Sequence, residues 1–101
     1  MNMLNFDNIR AYIVGWVQGL AIANADPHRA YKFTYPGIGV NVELIIGINM
    51  GIAHVDGNIQ YAARCIDEVM FDVWYQGRNL SSDREEYFDV DDLAEFILEL
   101  S

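Results

Sequence analysis

The residues of this sequence with the most chemistry to offer are carboxylates, and they are crowded into one end. Asp67, Glu68, Asp72, Asp83, Glu85, Glu86, Asp89, Asp91, Asp92, Glu95 and Glu99 all fall in residues 67–101, against only Arg78 and Arg84. Residues 1–66 carry four acids and four bases and are neutral, so the whole formal charge of −9 belongs to the last third. Such a block sets up a strongly negative field that repels nucleic acid and anionic lipid and attracts basic protein surfaces. Six bases, with Lys32 the only lysine, do not neutralise a phosphate track beside those acids, which argues against direct nucleic-acid binding.

Paired carboxylates can also serve as acid and base, and Glu85 with Glu86 or Asp91 with Glu95 are the pairs to weigh. That work needs a pocket that perturbs one of them, whereas the spacing places these acids on solvated faces. Asp89-Val90-Asp91-Asp92 resembles the start of a calcium loop but lacks its glycine and closing glutamate. His28 and His54 have no partner at metal-ligand spacing, and the lone Cys65 reads as a small buried thiol. With no phosphate-binding glycine loop and no nucleophile elbow, the expectation is a protein that binds rather than catalyses, without metal or cofactor.

These acids need a scaffold, and its centre is the stretch Ile38 to Ile52. Every even position there is a large apolar residue and most odd ones are small or polar, which is the period of a strand. It is either one long antiparallel strand or two strands joined around Gly47 to Gly51. Before it, Phe6, Ile9, Ile13, Trp16, Val17 and Leu20 recur at helical spacing from Asn5 or Asp7 to Asn24, with Asp26-Pro27 as the stop. Ala11, Gly15, Gly19 and Ala23 form a second stripe at every fourth position. Because glycine inside a helix costs about 1 kcal/mol relative to alanine, the stripe predicts close docking on the sheet or pairing with a second copy.

Tyr31, Phe33 and Tyr35 give a first strand, with Pro36-Gly37 as the turn into the central one. Asp56-Gly57, between Ala53/Val55 and Ile59/Tyr61, reads as a hairpin. Irregular or helical structure follows near residues 60–67, then a strand from Val69 to Gln76. Gly77 to Asp83 reads as a polar loop and Glu85 to Phe88 as a short edge strand. Asp89 caps a last helix of Val90 to Leu100, with Leu93, Phe96, Ile97 and Leu100 inward and Asp91, Asp92, Glu95 and Glu99 outward. The fold class is therefore α+β: an antiparallel sheet of about four to five strands packed by an N-terminal and a short C-terminal helix.

At 101 residues, 52% of them hydrophobic and 21% charged, residues 1–101 make one domain with a real core. The apolar run Ala11 to Ala25 is broken by Gln18 and Asn24 and falls short of the roughly 20 residues a bilayer needs, so no membrane span or targeting segment is expected.

In size, single-domain build and acidic final third, the chain resembles the small phage or mobile-element inhibitors of bacterial defence, the anti-CRISPR and anti-restriction proteins. The segment Tyr87-Phe88-Asp89-Val90-Asp91-Asp92-Leu93-Ala94-Glu95-Phe96, an aromatic strand end leading into a capped acidic helix, carries the resemblance. It implies a cytoplasmic inhibitor in the host cell that binds the basic surface of a nuclease or surveillance complex, blocking DNA access by mimicry or stopping the nuclease step. The binding residues would be Asp83, Glu85, Glu86, Asp89, Asp91, Asp92, Glu95 and Glu99, with an aromatic group of Trp74, Tyr75 and Tyr87 beside them. An immunity protein that neutralises one basic toxin uses the same electrostatics. A homodimeric structural or ligand-binding domain built through Gly15 and Gly19 is a third reading, and acids that merely keep a small domain soluble are the plain alternative.

Overall fold

A computed structural model describes residues 4–25, 30–35, 41–48 and 59–100. The helix predicted from the Ile9, Ile13, Val17 spacing is α1, Phe6–Ile22. Asn5, in extended backbone, accepts a 2.9 Å bond from the Asn8 N–H and so satisfies one of the open donors of the first turn. The helix stops before the expected Asp26-Pro27. Asn24 takes a left-handed conformation (φ 53°), while the N–H groups of Asn24 and Ala25 donate back to the Ala21 and Leu20 carbonyls. Asparagine is, after glycine, the residue that tolerates this closure best, so the end is set locally rather than by the proline.

Ile9, Ile13 and Val17 are fully buried, and Phe6, Trp16 and Leu20 pack along the edges of that stripe. The small-residue stripe behaves differently from the expectation of close docking. Ala11, Gly15, Gly19 and Ala23 are exposed, and a Cβ added at Gly15 or Gly19 would meet nothing within 4 Å. The greasy stripe occupies the inward side of α1, so the small one turns out.

Strand β1, Ala30–Thr34, pairs antiparallel with β2, Asn41–Ile48, which pairs antiparallel with β3, Val69–Tyr75. A two-residue strand β4, Arg78–Asn79, follows on the other edge of β3, in the order β1-β2-β3-β4. The two ladders set the even positions of β2 opposite apolar residues of its neighbours. Val42 stands opposite Phe33, Leu44 opposite Tyr31 and Val73, Ile46 opposite Phe71, and Ile48 opposite Val69. Facing positions of an antiparallel ladder share a side of the sheet, and Phe33, Val69, Phe71 and Val73 are all buried. The remaining positions of the Ile38 to Ile52 stretch, the turns at Pro36-Gly37 and Asp56-Gly57, and both histidines lie outside the described residues.

Ile59 and Tyr61 do not continue a hairpin arm: they belong to α2, Ile59–Arg64, with Ile59 in the core at 2% exposure. The Gln60 amide ties α2 to the end of α1 by donating to the Ala21 carbonyl and to Asn24 Oδ1, each at 3.0 Å. A 3-10 turn, Ile66–Glu68, leads into β3. Gln76 and Gly77 then turn the chain with φ of 51° and 79°, the two positive values of the hairpin turn whose twist matches flanking strands.

The predicted polar loop after Gly77 is instead β4 and a helix α3, Leu80–Arg84, because the Asn79 side chain caps it by accepting from the Ser82 N–H at 3.0 Å. The predicted edge strand at Glu85 to Phe88 contracts to one bridge, Phe71 to Phe88, with N–H to carbonyl distances of 2.7 and 3.0 Å. Its cause is the left-handed Glu85 (φ 59°), which closes α3 and turns the chain away from the sheet. Helix α4, Val90–Glu99, starts on Asp89 as expected, and Leu93, Ala94 and Ile97 complete the core. Edge-to-face ring contacts join the layers, Tyr12 and Trp16 on Phe33 and both Tyr75 and Phe88 on Phe96. Among the described residues no helix is long and apolar enough to cross a membrane.

Candidate functional site

Three arginines organise the acidic third. Arg10, projecting from α1, receives Asp67 at 2.9 Å and Asp91 at 2.7 Å, so one guanidinium bridges α1, the 3-10 turn and the start of α4. Its pKa is raised above the ordinary arginine value, first by the hydrogen bond to Asp91. Arg84 reaches Glu86 at 3.3 Å and Asp92 at 3.5 Å and lies 4.2 Å over the Phe88 ring. Arg78 pairs with Asp83 at 2.7 Å. Five carboxylates thus share three guanidiniums, while Glu85, Glu95 and Glu99 are exposed and face no cation among the described residues.

This division corrects the expectation that Asp91, Asp92 and Glu95 are equivalent outward charges. Asp92 is half-buried in a capping box, where its carboxylate accepts the Asp89 N–H at 3.3 Å and the Asp89 carboxylate accepts the Asp92 N–H at 2.7 Å. Asp89 and Asp92 therefore hold the helix start, and Asp91 anchors Arg10. Only Glu95 of that trio stands clear. No spacing rule exposes Arg10 as the partner of Asp91, since 81 residues separate them in the chain.

The aromatic group predicted beside the acids is also divided. Tyr75 lies on the core side of β3 against Phe96 at 5.6 Å, whereas Trp74, the neighbouring residue on the strand, points to the opposite side. The Trp74 indole Nε1 is enclosed and has no acceptor, and Asp72 Oδ1, two residues back on the same side, is enclosed without a donor. Tyr87 is 43% exposed and joins neither of them in a ring contact.

Tyr87 lies instead at a cleft of about 350 Å³ lined by Asp72, Asn79, Ser81, Ser82, Glu85 and Glu86 along with its own ring. Ser81 is the buried hinge of that cleft: its hydroxyl accepts from the Val73 N–H at 3.0 Å and donates to the Phe71 carbonyl at 3.4 Å. It supplies the hydrogen bonds a longer β4 would have made. In the sequence Asp72 is one more acid of the final third, and Asn79, Ser81 and Ser82 carry no signal of this arrangement beyond the asparagine that caps α3. Glu95 and Glu99 stay apart on α4, Asp83 on α3 and Trp74 on the sheet; Glu85, Glu86 and Tyr87 come together.

Among the described residues no group of three or more histidines, cysteines or acids is placed to hold a metal ion. Cys65 is free and half-buried. Comparison of the chain with known protein families, curated proteins and solved structures finds no match.

Proposed function

We propose that the chain is an acidic inhibitor that binds a basic, nucleic-acid-binding or nuclease surface of a bacterial defence complex in the host cytoplasm, needing neither cofactor nor direct contact with DNA. The observation that carries this reading is the excess of carboxylate over guanidinium in residues 67–101, with Glu85, Glu95 and Glu99 left uncompensated on the surface. The paired acids act differently: Asp83, Asp89, Asp91 and Asp92 fix the elements that display the others. In this reading the display rests on an antiparallel sheet of about four to five strands, of which β1-β2-β3-β4 is the described part. Tyr87, and Trp74 on the face of β3 turned away from the core, supply apolar anchors around which a salt-tolerant part of the contact can form.

The test replaces Glu85, Glu95 and Glu99 by lysine, which spares every capping and ion-pairing acid. The native chain is co-expressed with restriction and CRISPR nucleases, and survival of incoming phage DNA is scored. Rescue by the native chain, lost in the folded triple variant and weakened as salt rises in a binding assay, is the expected result. Absence of rescue across the nucleases, or full rescue by the triple variant, overturns the reading.

A second reading has one observation in its favour. The open Gly15/Gly19 stripe, with Ile22 87% exposed nearby, is a surface on which a second copy can pair through α1. Light scattering on the purified chain decides between a monomer and a dimer, and alanine at both glycines would dissociate the latter.

A further inference from the structure

The flank of α1 that meets α2 is built unevenly along its length. At its C-terminal end Ala21 and Ile22 form, with Ala63 of α2, an open and mostly apolar groove of about 520 Å³. Arg64 stands on the rim, exposed and paired with no acid among the described residues. Ile22, at 87% exposure, leaves a branched side chain in water beside it. The helical repeat puts Asp7 on the same flank as Gln18, and Arg10 on the same flank as Ala21, since each pair is separated by about three turns. The N-terminal end of this flank is acidic. Asp7 is exposed and faces no cation among the described residues, and Arg10 gathers Asp67 and Asp91 beside it.

A flank that is acidic at one end and basic at the other is complementary to itself turned end for end. A two-fold axis perpendicular to α1 keeps the flank on its own side and exchanges the ends, so it brings Arg64 of each copy to the Asp7 end of the other. An axis parallel to α1 would instead leave like ends level with each other. Nothing obstructs the perpendicular approach at the middle of α1, where a Cβ added at Gly15 would meet open space. We propose that two copies of this chain pair antiparallel along this flank, the groove and Ile22 of each covered by the first turn of the other's α1, with Arg64 set against Asp7. This rests on the pairing of copies through α1 and adds to it the α2 groove and the charge contact; it is independent of the inhibitor reading.

The test follows the mass of the full chain by sedimentation equilibrium from dilute to millimolar concentration. A monomer that passes into a dimer and no further is the expected result. Arg64→Glu and Asp7→Arg should each weaken the dimer about tenfold, because every dimer holds the contact twice, and the second should do so although it lowers the net negative charge. The two substitutions together leave the net charge of the native chain and should restore the dimer. Lys32→Glu, an equal charge change on β1, should leave dimerisation close to native. Circular dichroism checks that each variant is folded. NMR of labelled chain mixed with unlabelled chain needs no variant, and should give contacts between copies from the Ile22 methyl groups to the first turn of α1. A monomer at every concentration overturns both the pairing through α1 and this arrangement of it. A dimer that alanine at Gly15 and Gly19 dissociates but the charge variants do not keeps the pairing and overturns the arrangement. Failure of the double charge variant to restore the dimer, or species larger than a dimer, as a head-to-tail contact would give, also overturns the arrangement.

Discussion

Helices α1 and α4 solve the same inward problem and present opposite outward faces. Each is capped by a side chain that accepts an N–H three residues on, Asn5 from Asn8 and Asp89 from Asp92. Each then sends a stripe of apolar residues into one core, Ile9, Ile13 and Val17 from the first and Leu93, Ala94 and Ile97 from the second. Outward, α1 beyond its first turn shows Ala11, Gly15, Gln18 and Gly19 with the larger Tyr12 and Ile22, all neutral, and α4 shows Asp91, Glu95 and Glu99. The inner faces are governed by area removed from water, which is indifferent to what lies on the other side of the helix. The outer faces are therefore free to differ, and it is through them that the proposed binding would act.

If the inner faces are equivalent, truncating either should do the same damage. Leu93→Ala and Ile13→Ala each delete fully buried methyl groups, and each should cost about 2–5 kcal/mol of unfolding free energy. Urea titration followed by tryptophan fluorescence and by circular dichroism should give coincident single transitions for both. Separate transitions, or a loss confined to one variant, would break the equivalence and divide the core into two unequal parts.

The inner faces were also the legible part of the sequence. Burial at regular intervals leaves a period in the chain, which is why α1, the strand period of β2, β3 and the Asp89-capped α4 can be read from residue types alone. The region between Gln76 and Phe88 could not, because its structure is decided by single residues in special conformations. Left-handed Gln76 and Glu85 close a turn and a helix without a glycine at the position each occupies, and Ser81 replaces strand pairing with a side-chain bond. The site suffers from the same cause. Spacing shows that Asp91, Asp92 and Glu95 share a helix, but whether each is spent on Arg10, on a cap or on nothing is set by contacts across the fold.

The outer face of α1 gives the next test, smaller in effect and opposite in sign. Open space surrounds the positions where Gly15 and Gly19 lack a Cβ, so alanine adds helix propensity without a clash. The double variant Gly15→Ala, Gly19→Ala should gain about 1 kcal/mol per site in a monomer, read as a higher urea midpoint at unchanged slope. A net loss of stability that grows with protein concentration would mean that the stripe is a contact between copies. The neutral face of α1 would then be an interface and not merely the plain counterpart of the acidic one.

The smallest effect is expected where the two helices meet electrically. Arg10 joins α1 to Asp67 and Asp91, yet the carboxylate side chains are 86% and 60% exposed, so water and salt screen most of the attraction. Arg10→Gln should cost no more than about 1 kcal/mol at low salt, and the difference from the native chain should vanish in concentrated salt. The pH dependence has a definite sign. A guanidinium whose folded pKa is raised contributes fully below its unfolded value and loses that contribution only as pH climbs through the folded one, so Arg10 itself adds no slope near neutrality. A penalty of several kcal/mol that persists in high salt would show that Arg10 holds α4 in place through packing of its stem. The acidic face would then depend on the neutral helix for its position, and the independence of inner and outer faces would fail at that one residue.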